Sequence, residues 1–511
     1  MHVVSREQMQ AIDRYTVEDI GLGGPILMEN AGRALAAALV GMLHDRDRVV
    51  IVIGKGNNGG DGFSLARQLL RRAVPPEVWV LPNAGEIHGD AALHMQAFCR
   101  SGGRLMQISG HPEQFNEQLQ SADVIVDALL GTGASGAPRP EYAAVIGQLN
   151  KAQAAVVSVD VPSGIPANGE SFAYAAVRAD RTLTLQASKL AQFVLPAAAY
   201  FGQTQVLDIG IPAHAFSAID VRRRVRTRAD VQSSLPLRDP FAHKGTNGKG
   251  LLIAGSPLLP GAAFLAAKAA LRSGIGLLTL AAPDSVRKSV AALLPEVMFT
   301  TQNDQAYDRF SAIAVGPGLG RSQEAERLVA RALDAELPCV IDADGLYHLK
   351  AMINRLKSRQ QPVVLSPHPG EMACLCDCSV SQVESDRFGC SASFAKAFRC
   401  YLVLKGKHTI VTAPDGSQYV NETGNAALAK GGSGDVLTGL LLAFLAQHRN
   451  PFEAAANAVY VHGAAADALV SGGHSLLDVL ATDVIEQLSP VLSQLYKEKM
   501  PASADPSFVT E

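Results

Sequence analysis

Aromatic residues are scarce in this sequence, 5% with a single tryptophan, and its charges almost cancel to a net −3. A nucleic-acid surface needs clustered Lys and Arg interleaved with stacking rings, and an acidic partner needs a basic face; the composition offers no footing for either. Cysteine is sparse and odd in number, seven in 511 residues, which speaks for reduced thiols and against a disulfide framework. Three of them alternate, Cys374, Cys376 and Cys378, without the second cysteine pair or closely spaced histidines of a structural zinc site. Membrane-length apolar runs are missing too: the stretch 436–446 falls far short of the roughly 20 residues a spanning helix needs. The opening residues, Met1-His2-Val3-Val4-Ser5-Arg6-Glu7, show no basic flank leading into an apolar segment, so no secretory signal is visible and a cytoplasmic protein is expected.

What the chain has is length and alternation. At 511 residues it exceeds what one hydrophobic core serves, so two domains or more are expected. Residues 6–38 read as two helices around a turn at Gly21-Leu22-Gly23-Gly24-Pro25, with Leu27, Met28, Ala31, Leu35 and Leu39 at helical spacing. Apolar strands follow at 49–53, 78–81, 124–127, 156–160 and 181–185, with a helix over 63–72. Strands apolar on both faces and separated by helices mean a parallel sheet covered on each side. From 211 to 239 the pattern lapses, and Arg222, Arg223, Arg224, Arg226 and Arg228 crowd together as in a linker with a solvated charge run. A second alternation begins at 251–254 and continues through 277–280, 312–315, 339–341, 363–365 and 401–404, with 409–411 as a hairpin partner. Helices close the chain, and 501–511 lacks core-forming residues and reads as a flexible tail. The expected division is 1–213, a linker over 214–238, a second domain over 239–500, and the tail.

In doubly wound sheets ligands bind beyond the carboxyl ends of the strands, and the polar motifs gather there. Gly54-Lys55-Gly56-Asn57-Asn58-Gly59 matches G-x-G-x-x-G directly after a strand. The next strand ends Leu81-Pro82-Asn83, however, without the acidic residue that would hold a dinucleotide ribose. Asn57, Asn58 and Asp61 serve neither a tight turn nor a pyrophosphate, and read as ligands for something else. Asp127 ends a strand and leads into Gly131-Thr132-Gly133-Ala134-Ser135-Gly136, a loop able to wrap an anion with backbone N–H groups. Asp160 ends the neighbouring strand ahead of Val161-Pro162-Ser163-Gly164. Two such aspartates repel each other unless a cation or a proton lies between them. Oxygens from Asn58, Asp127 and Ser163 suit a hard cation.

The second half carries scattered pieces of a phosphate site. His243-Lys244-Gly245-Thr246-Asn247-Gly248-Lys249-Gly250 is not a Walker loop, because its glycine spacing is short and Lys249 precedes Gly250 where Ser or Thr belongs. Gly316-Pro317-Gly318-Leu319-Gly320 follows a strand, and Asp342-Ala343-Asp344-Gly345 either helps hold Mg²⁺ or is a turn with capping aspartates. His368, between Pro367 and Pro369, is held extended just past a strand and presented to a ligand. Lys405-Gly406-Lys407-His408-Thr409 lies in a turn between strands, suited to nucleotide phosphates. Gly431-Gly432-Ser433-Gly434-Asp435 leads into an apolar helix, whose free N–H groups and dipole suit a phosphate. Asp435 reads either as a cap of that helix or as a base beside the phosphate.

Taken in order, two sets of motifs carry a resemblance. Leu27-Met28-Glu29-Asn30-Ala31-Gly32, Asn57-Asn58-Gly59-Gly60-Asp61, Asp127-Ala128-Leu129-Leu130-Gly131-Thr132-Gly133 and Ser158-Val159-Asp160-Val161-Pro162-Ser163-Gly164 resemble the NAD(P)H-hydrate epimerase domain. His243-Lys244-Gly245, Gly255-Ser256, Gly316-Pro317-Gly318, Pro367-His368-Pro369-Gly370-Glu371, Leu404-Lys405-Gly406, Gly424-Asn425 and Gly431-Gly432-Ser433-Gly434-Asp435 resemble the ADP- or ATP-dependent NAD(P)H-hydrate dehydratases of the ribokinase-like fold. The resemblance implies an α/β chain of two domains, a Rossmann-like three-layer α/β/α domain followed by a ribokinase-like one.

For the first domain it implies that Asn57, Asn58, Gly59, Gly60, Asp61, Gly131, Thr132, Gly133, Ala134, Ser135, Gly136, Ala137 and Asp160 bind hydrated NADH or NADPH. Asn58, Asp127 and Ser163 would bind a potassium ion, and Asp160 would act as acid/base at the hemiaminal carbon. For the second it implies that Ala262, Gly318, His368 and Asp435 touch the hydrated nucleotide. Lys405, Gly406, Lys407, His408, Thr409 and Gly434 would touch ADP, accompanied by Mg²⁺, and Asp435 would be the base. Lys407 and His408 depart from the smaller residues usual in the family, and Cys374, Cys376 and Cys378 lie outside its pattern. A homo-oligomer without nucleic-acid or membrane partners is expected. The competing readings are a ribokinase-like small-molecule kinase fused to a nucleotide-binding domain, and a first half that binds without catalysing.

Overall fold

The computed structural model describes residues 1–302 and 307–499; the expected tail, 501–511, lies outside them. The chain forms two compact units, which meet in sequence at Val221 and Arg222.

Unit 1 opens with strand β1 (Val3–Val4) and helix α1 (Arg6–Glu18). The Ser5 hydroxyl accepts from the Gln8 amide while the Gln8 side chain accepts from the Ser5 amide, which fixes where α1 starts. Helix α2 (Gly24–Val40) begins through Pro25 and buries Leu27, Ala31, Leu35 and Leu39. The alternation then runs β2 (Val49–Ile53), α3 (Asn57–Leu70), β3 (Glu77–Val80), α4 (Gly89–Arg100), β4 (Leu105–Gln107), α5 (Pro112–Ser121), β5 (Val124–Ala128) and α6 (Pro140–Leu149). It ends with β6 (Ala155–Val159), β7 (Arg181–Leu185), β8 (Ser188–Lys189), β9 (Gln203–Leu207) and α7 (Ala213–Ala218).

Seven strands form one sheet in the order β4-β3-β2-β5-β6-β7-β9, all parallel. β1 pairs in parallel with β8 as a separate ribbon. Successive residues of β2 point to opposite faces: Val49, Ile51 and Ile53 join Leu35, Phe63 and Phe98, while Val50 and Val52 join Phe115 and Ile146. The result is three layers. The chain runs outward from β2 to β4 and restarts at β5, so the crevice opens beyond the carboxyl ends of β2 and β5.

Unit 2 comprises β10 (Arg223–Val225), α8 (Arg228–Ser234), β11 (Lys249–Ile253), α9 (Pro260–Arg272), β12 (Leu277–Ala281), α10 (Asp284–Ala291), β13 (Met298–Thr300) and β14 (Ala312–Val315). Next come α11 (Gln323–Asp334), β15 (Cys339–Ile341), α12 (Asp344–Met352), β16 (Val363–Leu365), α13 (Pro369–Cys376), α14 (Val380–Ser385) and α15 (Arg387–Phe398). The unit ends with β17 (Tyr401–Leu404), β18 (Ile410–Thr412), β19 (Gln418–Val420), α16 (Ser433–Gln447), α17 (Pro451–Ser471) and α18 (Ala481–Lys499). Its sheet order is β10-β19-β18-β17-β16-β15-β14-β11-β12-β13, antiparallel only at β17/β18 and β18/β19. The switch point lies between β11 and β14. Leu252, Ala314 and Val364 pack on one side with α9 and α16, and Ile253, Val315 and Leu365 on the other with α11 to α13.

Two expectations need correction. The helix expected over 63–72 starts at Asn57, so the Asn-Asn-Gly-Gly-Asp segment is not a loop before the helix but its first residues. The segment 214–238 is not a bare linker: it holds α7, the edge strand β10 and α8. Nor is its charge run wholly solvated. Arg226 is 4% exposed, donates to Asn457 at 2.6 Å and to Ser234 at 2.5 Å, and pairs with Glu453. A three-residue edge strand carries no readable periodicity, and the partners of Arg226 lie far along the chain.

Candidate active sites

In unit 1 the segments after β2, β5 and β6 meet at the switch point around a cavity of about 740 Å³, a size suited to a small organic ligand. Asn57, Asn58 and Asp61 line it, together with residues 131–137 and Asp160. Gly59 and Gly60 do not. A methyl at Gly59 would overlap the Gly54 carbonyl, and one at Gly60 the Met28 sulfur, so these two glycines let α3 seat itself against the β2 turn and α2.

Below the cavity lies a set of oxygens. Asn58 Nδ2 donates to the Leu130 carbonyl at 3.0 Å, and its buried Oδ1 has no partner among the described residues. Ser163 Oγ donates to Asp127 Oδ1 at 2.5 Å and lies 3.1 Å from the Leu130 carbonyl oxygen. Asp127 also accepts from the Ser158 hydroxyl and the Ser163 amide, each at 2.8 Å. Burial raises the Asp127 carboxyl, against the pull of these bonds. An orphaned carbonyl oxygen beside a hydroxyl and a buried carboxylate is a donor set that fits a hard cation.

Asp160 sits past the end of β6 with φ +65°, a left-handed conformation unusual for a non-glycine residue. Asp160 Oδ1 is paired with the fully buried Lys189, a positive side chain that the sequence expectation of a cation or a proton near Asp127 and Asp160 did not include. Oδ1 accepts as well from the Leu185 amide at 2.9 Å and the Thr184 hydroxyl at 3.2 Å. Lys189 went unnoticed in the sequence because its partner lies on another strand. Asp13, from α1, lines the same cavity and also went unnoticed.

In unit 2 the pieces converge around Asp342, at the end of β15. Its Oδ1 accepts from Lys405 Nζ at 2.9 Å and its Oδ2 from the Thr438 hydroxyl at 2.6 Å. Glu371 lies 3.8 Å from Lys405 and accepts from the His368 amide at 2.8 Å. Asp344 accepts from the Gly320 amide at 2.8 Å, which ties the β14 loop to the β15 loop. Gly318 packs against Ala262 at the start of α9. His368 is the N-cap of α13, its Nδ1 accepting from the Gly370 and Glu371 amides, and its side chain is 57% exposed.

α16 starts at Ser433 behind Gly432, whose φ of +90° suits glycine. The helix forms no side-chain cap bond, so Asp435 does not serve as its cap. Burial, then the charge of Asp342, pushes the Asp435 carboxyl up to about 6, with Lys405 opposing and Asp344 adding. Burial alone would lower the Lys405 ammonium, but Asp342 and Glu371 outweigh it and raise its pKa. Gly434 lies next to Lys405 Nζ. The loop 405–409 joins β17 to β18, and the buried Arg387 draws in three of its carbonyls or their neighbours: Leu404 at 3.1 Å, Lys405 at 3.0 Å and His408 at 3.3 Å. Burial pushes the His408 imidazole down to about 4, so it is neutral at pH 7. Arg387 is a third residue that sequence reading missed.

Comparison with known proteins gives the two units separate matches. Residues 250–490 match a family profile described as NAD(P)H-hydrate dehydratase, and residues 24–191 one described as YjeF-related protein N-terminus. The bifunctional NAD(P)H-hydrate repair enzyme Nnr of Moorella thermoacetica is 37% identical, over 98% of this chain and 98% of that protein. That of Escherichia coli is 31% identical, over 95% of this chain and 93% of its own length. Among solved structures, the ADP/ATP-dependent NAD(P)H-hydrate dehydratase of Bacillus subtilis, co-crystallised with ATP/Mg²⁺, is 36% identical with a TM-score of 0.50, covering 53% of this chain and 98% of that one. With relatives aligned from end to end, the chain belongs to the family of bifunctional NAD(P)H-hydrate repair enzymes.

Proposed function

We propose that unit 1 interconverts the R and S epimers of hydrated NADH and NADPH, and that unit 2 dehydrates the S epimer with ADP, releasing AMP and phosphate. The observation that carries the reading is Asp435. A carboxyl held near 6 beside a lysine, at the head of a helix whose first amides have no internal acceptor, is suited to take a proton from a hydroxyl as that hydroxyl attacks a phosphate. Phosphate leaves a carbon far more readily than hydroxide, so push from the ring nitrogen then expels it and loss of a proton restores the double bond. His368, Ala262 and Gly318 would hold the nicotinamide nucleotide, and Lys405 to Thr409 with Gly434 the phosphates of ADP. Asp342 and Asp344 both repel the Asp435 charge, and that excess negative charge fits Mg²⁺ arriving with the nucleotide. In unit 1, residues 131–137 with Asn57, Asn58 and Asp61 would hold the substrate. Asn58, Asp127 and Ser163 would hold potassium, whose charge would steady the loops that carry the cavity wall. The cytoplasm is the expected location, to be checked by cell fractionation, and a homo-oligomer the expected assembly, to be checked by light scattering.

The test is to incubate the protein with mixed epimers of hydrated NADH and ADP while following dihydronicotinamide absorbance. Complete recovery of both epimers is expected. Recovery of half the material would remove the epimerase role, and no recovery would remove the whole reading. Build-up of a stable phosphorylated compound would instead favour the kinase alternative.

A further inference from the structure

Epimer exchange in unit 1, taken from the reading above, makes a demand that Asp160 does not meet. A hydroxyl leaves as water only after it gains a proton, and a proton must be taken back when water returns. Asp160 is the ion-pair partner of Lys189, with two further donors on the same oxygen. It offers lone pairs and negative charge. Lys189 is equally engaged, its three protons directed to Asp160, to Thr184 Oγ1 at 3.1 Å and to the Leu185 carbonyl at 2.9 Å.

Asp13 is placed differently. It is half-buried on α1, faces the cavity, and has no hydrogen-bond partner among the described residues. The charged groups that act on Asp13 and its neighbour Asp61 on α3 are Asp160 after β6 and Lys189 on β8, so these three carboxyls crowd one ammonium, while Lys55, Asp90 and Arg139 line other parts of the cavity wall. Crowded carboxyls of this kind are relieved by protons. Burial pushes Asp13 up to about 6, with Lys189 pulling down and Asp160 pushing up. Burial drives Asp61 well above its ordinary range. A donor near 6 both gives and regains a proton at neutral pH, whereas one held far higher gives it reluctantly.

We infer that Asp13 is the proton donor of epimerisation and that the carboxylate of Asp160 balances the cation formed when the hydroxyl departs. Asp13 passes its proton to the hydroxyl as the carbon–oxygen bond breaks, and the ring-nitrogen lone pair becomes a carbon–nitrogen double bond. Water is released, leaving one positive charge on the ring and one negative charge on Asp13. In return, water adds to the same carbon from either face, its extra proton passes to Asp13, and the electron pair goes back to nitrogen.

The experiment follows exchange between purified epimers by chromatography, without ADP and corrected for the uncatalysed rate. Asp13→Asn should lower exchange by roughly 10²–10⁴-fold, while ADP-driven dehydration of the S epimer by the same chain stays at the wild-type rate. Wild-type kcat/KM should fall as pH rises through about 6, Asp13→Asn should lack that fall, and Asp13→Glu should keep it at a displaced pH. Undiminished exchange with Asn at 13, or a fall that neither Asn nor Glu alters, would overturn the inference and leave the epimerase reading standing. Absence of exchange in the wild-type chain would overturn both.

Discussion

A carboxyl in the first turn of α16 ordinarily gains from the helix dipole, yet Asp435 is held at about 6 against an ordinary 3.8 by burial and its acidic neighbours. The folded state therefore binds a proton the unfolded chain has already lost, and stability falls as pH rises from about 4 to above 6. The difference corresponds to about 3 kcal/mol. Asp435→Asn should raise a thermal transition of the ligand-free chain at pH 8 and leave it unmoved at pH 3.5, by differential scanning calorimetry. The same variant should lose dehydration by roughly 10²–10⁴-fold. Stability gained where activity is lost is the expected trade at such a site. In unit 1 the cation reading is tested one residue away from the proposed ligands. Ser158 donates to Asp127 at 2.8 Å, so Ser158→Ala should raise the potassium concentration that half-activates epimer exchange by roughly 10–100-fold. If exchange runs equally well with potassium replaced by tetramethylammonium, the potassium assignment fails.

Among the elements, β10 and α8 are held to unit 2 by Arg226, which bridges Ser234, Asn457 and Glu453 and lies over the Tyr419 ring at 4.8 Å. Arg226→Ala would take the cation from the part-exposed Glu453, which keeps the Tyr419 hydroxyl, and the donor from Asn457, and should cost unit 2 roughly 1–3 kcal/mol in denaturant unfolding while the transition of unit 1 stays in place. What was legible in the sequence has the same physical basis as what was not. Strands such as β2 and β14 are unbroken runs of apolar residues because both faces are covered, and they could be read without a partner. The glycine-bearing strand ends could be read because their spacing is local. β4, β10 and β19 are short edge or near-edge strands, and like the polar edge strand β9 they are defined by what they pair with. Lys189, Arg387 and Asp13 act through contacts with residues on other elements, so no local pattern marks them. Asn57 to Asp61 were recognised as site residues but misjudged as a loop, since two glycines in succession argue against helix until Met28 and the Gly54 carbonyl are seen to require them.

At the scale of the molecule, the division at Val221 and Arg222 is a working boundary. A fragment spanning 222–511 keeps β10 on β19 and α8 against the closing helices, and should melt cooperatively and dehydrate the S epimer. One beginning at 239 loses both elements and the Arg226 network, and should melt at a lower temperature or precipitate. Equal melting of the two fragments by circular dichroism would show that the 214–238 segment is dispensable after all. No helix among the described residues is long and apolar enough to cross a membrane.

The two-stranded ribbon of unit 1 bears on how the protein is handled. Val3 and Val4, wholly buried, pair with Ser188 and Lys189, so the first few residues brace the backbone of the lysine that holds Asp160. His2 stacks on Phe216 at 4.3 Å and extends the brace. An affinity tag or cleavage scar joined at Met1, itself 43% exposed, would lie two residues from this ribbon, and any strain it put on the pairing would reach the chemistry of unit 1 through Lys189 while leaving dehydration alone. A tag for purification belongs at the other terminus, and a preparation that dehydrates one epimer but exchanges none should first be checked for what was added in front of His2.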